Sequence, residues 1–135
     1  MKIIFISIII FFTICSKSWA EDESERCLGF RDYEKTINAE LPRKIDNYTE
    51  LVSLSVNCTT KIIKYTKRIL AYDSEMAEGW RERKQRQHIL LHCNKNGLSS
   101  TIGWNAQDDM YDIDYNFLVT LFSSPDDCVK IYEEE

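Results

Sequence analysis

Residues 51–70 read LVSLSVNCTTKIIKYTKRIL. Leu51, Leu54, Cys58, Ile62, Tyr65 and Ile69 recur at steps of three and four. At about 100° per residue they fall in one narrow arc, the mark of an amphipathic helix. Val52, Val56, Ile63 and Leu70 widen the arc on one side, and Ser53, Asn57, Thr60, Lys64, Lys67 and Arg68 lie opposite. Just upstream, Asn47 to Glu50 (NYTE) offers an Asx cap with a glutamate three residues on. The periodicity predicts a helix here, with Cys58 on its buried stripe and Asn57 on its wet face.

The same period extends outward. Cys27, Phe30, Tyr33, Ile37 and Leu41 form a stripe over a first helix, Ser24 to Leu41, which stops before Pro42. A third helix is expected from Asp73 or Ser74 to the NKNG stretch, with Gly97 as a left-handed cap and Met76, Ala77, Trp80, Ile89 and Leu90 facing inward. Residues 98–107 read as a loop pinned by Ile102 and Trp104. A fourth helix covers Asp108 to Phe122, and a short fifth starts at SPDD with Ser124 as its cap. With two prolines and four glycines, the chain favours long uninterrupted elements. The expected fold class is all-α, a disulfide-stabilised bundle of four to five helices.

The first twenty residues, MKIIFISIIIFFTICSKSWA, pair Lys2 with an apolar run from Ile3 to Phe12 and end Ser18-Trp19-Ala20. That pattern predicts a secretory signal peptide over residues 1–20, too short in its apolar run to span a bilayer. A single helical domain, 21–135, would follow, with no membrane insertion. Removing the leader takes Lys2, Lys17 and Cys15. It leaves 15 basic against 22 acidic residues, a net charge of −7, and four of the five cysteines. An acidic chain of this size gives no electrostatic case for nucleic acid. Four cysteines in a short secreted chain imply two disulfides, and three pairings are possible. If the first two helices form a hairpin turning near Pro42, Cys27 and Cys58 lie at similar distances from the turn. That favours Cys27–Cys58 and Cys93–Cys128. Two glycosylation sequons are present, Asn57-Cys58-Thr59 and Asn47-Tyr48-Thr49.

Few side chains suggest chemistry. His88 and His92 stand i, i+4 on a helix, a zinc-compatible spacing, but Ile89 takes the place of the metalloprotease glutamate. They read as solvated or core-edge histidines. Asp112, Asp114 and Asn116 keep the start of a calcium loop, yet Phe117 and Ser123 stand where glycine and glutamate are needed, so the run reads as an acidic face. Arg81, Arg83, Lys84 and Arg86 make the one dense basic stretch, which could contact a partner although it spreads around its helix. No nucleophile triad or phosphate loop appears, so an enzyme is not expected, and neither a cofactor nor a metal.

The spacing of Cys27, Cys58, Cys93 and Cys128, with HCNKNGLSSTIGWN (92–105) and FLVTLFSSPDDC (117–128), resembles the small four-cysteine salivary proteins of blood-feeding flies, in particular the mosquito albicin and anophensin group. The resemblance implies a helical bundle that binds a host plasma or cell-surface protein. It implies inhibition of the alternative complement pathway at its C3 convertase, or of contact activation and coagulation. Two other readings stand beside it: an immune modulator on a host receptor of the lymphotoxin type, and a carrier of a small apolar ligand between helices.

Overall fold

The stretch 51–70 forms two strands, not a helix. In the computed structural model, which describes residues 23–133, β2 (Thr49–Asn57) and β3 (Ile62–Ile69) pair antiparallel through a turn at 58–61. The local chemistry explains this. The stretch is rich in β-branched and aromatic residues, which suit a pleated surface. Asn57 closes the turn: its side-chain oxygen accepts the amides of Thr59 and Thr60, both at 3.0 Å. Leu54 and Val56 point into the core and Ser53 and Ser55 away from it, the period-two pattern of a half-buried strand. The helical period arises from a bulge between Leu51 and Ser53. The extra residue puts Leu51 and Leu54, three apart, on one face.

Before this hairpin come α1 (23–38) and β1 (Arg43–Lys44). After it come a 3-10 turn (Asp73–Glu75), α2 (Trp80–Cys93), α3 (Leu98–Ile102), β4 (Asn105–Tyr111), β5 (Phe117–Ser123) and α4 (Pro125–Glu133). The five strands make one sheet in the order β1-β2-β3-β4-β5. All pairs are antiparallel except β3 with β4, which run parallel, so α2 and α3 lie on the crossover between them. The expected all-helical bundle is therefore replaced by a mixed α/β fold. The expected helix at 108–122 is the β4–β5 hairpin, and residues 98–107 hold α3 and the start of β4. Gly97 is not a left-handed cap: its φ is −72° and it opens α3. It must be glycine because a Cβ there would fall on the His92 carbonyl. The expected signal peptide, residues 1–20, lies outside the described residues.

The chain divides into two compact units, residues up to Tyr33 and residues from Glu34. In the first, the described residues are helical, with an Arg26–Glu23 ion pair at 2.8 Å. The second holds the sheet. Its core gathers Ile69, Trp80, Met110, Leu118 and Leu121, with Trp104 buried to 1 % exposure. The inward face of α2 differs from expectation: Trp80, His88 and Cys93 are buried, whereas Leu90 is 49 % exposed.

Both edges of the sheet are closed by carboxamides. Beyond β1, Asn38 donates to the Leu54 carbonyl at 2.8 Å and accepts the Leu54 amide at 2.9 Å. Glu34 accepts the Val56 amide at 3.2 Å. At the opposite edge, Gln85 of α2 donates to the Phe122 carbonyl at 2.7 Å and accepts its amide at 3.1 Å. Each amide plays the part of one residue of a missing strand, which blocks edge-to-edge association. The Asn38 bonds are partly buried and the Gln85 bonds exposed. Water can thus replace Gln85 more readily. We expect Asn38→Ala to lower the urea unfolding free energy by about 1–3 kcal/mol and Gln85→Ala by about 0.5–1 kcal/mol. The two losses should add to within about 0.5 kcal/mol, because three strand spacings separate them. A larger loss at Gln85 than at Asn38 would contradict this account.

Candidate functional site

Along β4, Ala106, Asp108 and Met110 alternate inward. A buried carboxylate needs partners, and neighbouring elements supply them. Lys67 of β3, in register beside Met110, places its ammonium against Asp108 Oδ2. His88 of α2 sets Nδ1 3.5 Å from the same oxygen, and its Nε2 faces the Ala106 carbonyl at 3.1 Å. Burial alone would raise the Asp108 pKa. The His88 hydrogen bond and the Lys67 charge outweigh it and hold the carboxyl below its usual value. Asp108 Oδ1 is buried with no hydrogen-bond partner. His92 lies beside His88, with ring centroids 4.6 Å apart and the rings tilted by 58°. Burial, then the adjacent His88 ring, lower its pKa to about 4.

This cluster forms the floor of an open cavity of about 170 Å3 between α2, the strands and the β1–β2 turn. On the other side of α2 lies a larger groove of about 690 Å3, shared with α4. Ile89, Leu90 and Ile131 make it apolar, and Glu82, Arg86, Asp127 and Lys130 border it. One end of the groove is covalently fixed: Cys93, at the end of α2, is bonded to Cys128 in α4, with Cα atoms 5.0 Å apart. Beside that bond, Ser99 of α3 reaches the Ser123 oxygens at 3.2 and 3.3 Å. The capping box of α4, Ser124 with Asp127, sets its first turn.

The candidates from sequence scatter over this frame. Arg81 is held by Asp73 at 2.8 Å and the Leu118 carbonyl at 3.3 Å, and it stacks on Trp80. Arg83 caps the Glu78 carbonyl at 2.7 Å. Lys84 faces the cavity and Arg86 the groove, so the four basic residues form no single contact patch. His88 and His92 are adjacent, but among the described residues no three metal-ligating side chains cluster. Asp112 is saturated: it accepts the amides of Asp114 and Asn116 and the Asn116 side chain, and so builds the β4–β5 turn. Asn57 is not on a helix face but at the tip of the β2–β3 hairpin, and Asn47 lies in the exposed β1–β2 turn. Cys27 and Cys58 are each disulfide-bonded, Cys58 in the turn. Sequence reasoning missed Lys67 and Asp108. The signal for Asp108 was its place in an alternating run, but its partners come from a parallel pairing that local pattern does not reveal.

No protein-family model matches the chain, and no curated protein does. Among solved structures, the fold is similar to the pilotin EpsS from the Vibrio vulnificus type 2 secretion system. The TM-score is 0.59 at 13 % identity, covering 81 % of this chain and 96 % of that one. The expected inhibitor of the alternative complement pathway falls with the helical bundle that carried it. So do the alternatives drawn from the same bundle: contact activation and coagulation, a lymphotoxin-type receptor, and an apolar-ligand carrier. The five-stranded sheet takes the place of that bundle, and nothing supports a host partner. The disulfide-bonded cysteines fit an oxidising, exported compartment, and no helix among the described residues is long and apolar enough to cross a membrane.

The buried cluster has distinct consequences. Lys67→Met strands Asp108 and should cost about 3–5 kcal/mol, whereas Lys67→Met with Asp108→Leu should restore most of that. A double variant no more stable than the single one would refute the pairing. For His92 the folded pKa lies below the unfolded one, so between pH 6.5 and about 4 the unfolded chain binds the extra proton. Stability should therefore fall on acidification through this window, by about 1–2 kcal/mol once partial exposure is allowed for. Asp108 contributes to acid loss only lower, as pH drops through its depressed value. Urea unfolding of His92→Gln from pH 7.5 to 4.5 should show a flatter profile than the parent.

Proposed function

We propose that the protein is a secreted, non-catalytic binding module that holds an amphipathic segment of another polypeptide in the groove between α2 and α4. The groove itself carries the reading: an apolar floor, both charge signs on both walls, and a disulfide that fixes the walls at one end. Mixed charge suits a polypeptide segment with apolar and charged sides better than a lipid or a nucleic acid. A pilotin in a secretion system is a precedent for this fold working beside other proteins. The engagement of His88 supports the non-catalytic part. With Nε2 on a backbone carbonyl and Nδ1 on Asp108, the ring has no nitrogen left to serve a substrate as a base.

Export also makes the sequons usable. The Asn57 side-chain oxygen holds the turn, and its Nδ2, the atom a glycan takes, makes no hydrogen bond among the described residues. Glycosidase treatment of the protein secreted from its own cells should reduce its mass, and Asn57→Gln should remove most of that change.

The groove reading is tested by a photocrosslinking residue at Leu90, with Ser53 on the opposite sheet face as control. Leu90 should yield one discrete adduct whose crosslink maps to a single amphipathic segment, and Ser53 should not. Leu90→Asp should weaken binding of that segment at least about tenfold. Unfolding free energy should change by less than about 0.5 kcal/mol, because Leu90 is half exposed. Equal adducts from both positions, or full binding by Leu90→Asp, would remove the proposal.

A further inference from the structure

The β1–β2 turn, the exit of β3 and the β4–β5 turn all lie at the end of the sheet where β2 and β5 begin. They carry Tyr48, Tyr72 and Tyr115, and Phe117 opens β5 beside them. Exposure of these four rings runs from 47 % for Tyr72 to 72 % for Tyr48. Tyr111, partly buried, meets Phe117 edge-on with ring centroids 5.8 Å apart. Local structure does not call for the exposed rings. Tyr115 has a φ of 64°, a position that suits glycine or asparagine, and its ring stays outside the core. A lone exposed aromatic needs no explanation, but a cluster of them marks a contact surface.

The charges at this end select the partner. Arg68 closes on Glu50 at 2.7 Å, with Lys44 across from the same glutamate, and Arg81 closes on Asp73 at 2.8 Å. Glu75, Asp112 and Asp114 have no ion-pair partner among the described residues, and Glu75 and Asp114 are exposed. The Asp114 charge, ahead of desolvation and of Glu75 and Asp112, holds the Tyr72 hydroxyl above its usual pKa.

We propose that this end of the sheet docks an arginine-bearing polypeptide segment. A guanidinium stacks on a tyrosine ring and donates to a carboxylate at once, and both groups are exposed here. The protein's own arginines show the arrangement. Arg68 lies against the Tyr115 ring at 4.8 Å while it pairs with Glu50, and Arg81 does the same with Trp80 and Asp73. A quaternary ammonium can stack but not donate, and an anionic partner would meet three uncompensated carboxylates. Four rings from three loops and a strand offer more area than one small cation covers. The surface shares no residue with the α2–α4 groove and stands whether or not a segment binds there.

Amide chemical-shift titration of the full chain tests this with the capped peptide Arg-Ser-Arg-Ser-Arg, in about 0.15 M salt to screen diffuse attraction. Its lysine and glutamate counterparts and choline serve as controls. Saturable shifts are expected at Tyr48, Tyr72, Tyr115 and Phe117, with affinity at least about fivefold weaker for the lysine peptide and for choline and no binding of the glutamate peptide. Tyr115→Asn keeps a residue that tolerates the turn's positive φ, so its thermal midpoint should stay within about 3 °C of the parent while the arginine peptide binds at least about fivefold more weakly. Phe117→Thr, at an exposed strand position away from the turn's tip, should weaken it by a similar factor. No saturable shift up to about 5 mM arginine peptide, or shifts spread over the acidic surface instead of this end, would overturn the site. Choline or the lysine peptide binding as well as the arginine peptide would overturn the assigned partner, and so would undiminished binding by both variants.

Discussion

The Asp108 carboxylate, buried on the inward face of β4, constrains everything around it. An ionised group there is tolerable only if cations and donors reach it from outside its own strand. Lys67 can do so because β3 and β4 run parallel in a register that puts it beside Met110, one side-chain step from Asp108. His88 can do so because α2 crosses this face of the sheet at the right depth. Sheet register and helix placement are thus tied to one oxygen, Oδ2, which receives both partners. A strand slipped by one residue would turn Asp108 outward and leave Lys67 and His88 facing apolar wall.

With α2 packed against β5 and α3 against β4, the edges need separate treatment. Asn38 and Gln85 solve it by the same chemistry at opposite ends, one amide exchanging two bonds with one strand residue. The sheet face away from the core is handled by polar pairs. Glu50 and Arg68, opposite each other on β2 and β3, close at 2.7 Å. Asp109 of β4 accepts from Thr120, its partner across on β5, at 2.8 Å. Cross-strand pairs of this kind fix register on a half-wet face.

Parts of this were legible in the chain. The fifth helix was visible because Ser124, Pro125 and Asp127 form a local start signal, and a first helix up to the Pro42 region because its stripe is unbroken. Trp104 was readable as a core anchor from its size alone. The β2–β3 hairpin was not, since the bulge after Leu51 and the turn at Cys58 break the alternation into steps of three and four. On β4 the alternation is regular, but an aspartate occupies its central inward position, which disguises a buried strand as an acidic segment. The site depends on β3–β4 pairing across more than forty residues, and no local pattern encodes that distance.

α2 carries the remaining burden of the design, which explains its odd sequence. From His88 onward it reads HILLHC, apolar on nearly all sides. A helix with one buried face would not look so. Here successive residues serve different neighbours: His88 the buried carboxylate, Ile89 and Leu90 the groove with α4, Leu91 the cavity wall, Cys93 the bond to Cys128. Three surfaces converge on less than two turns. Because that short segment is held at one end by a buried charge and at the other by a disulfide, it cannot rotate to favour one surface over another. Groove and cavity keep their shapes together, and a change that loosens the Asp108 cluster should reach both.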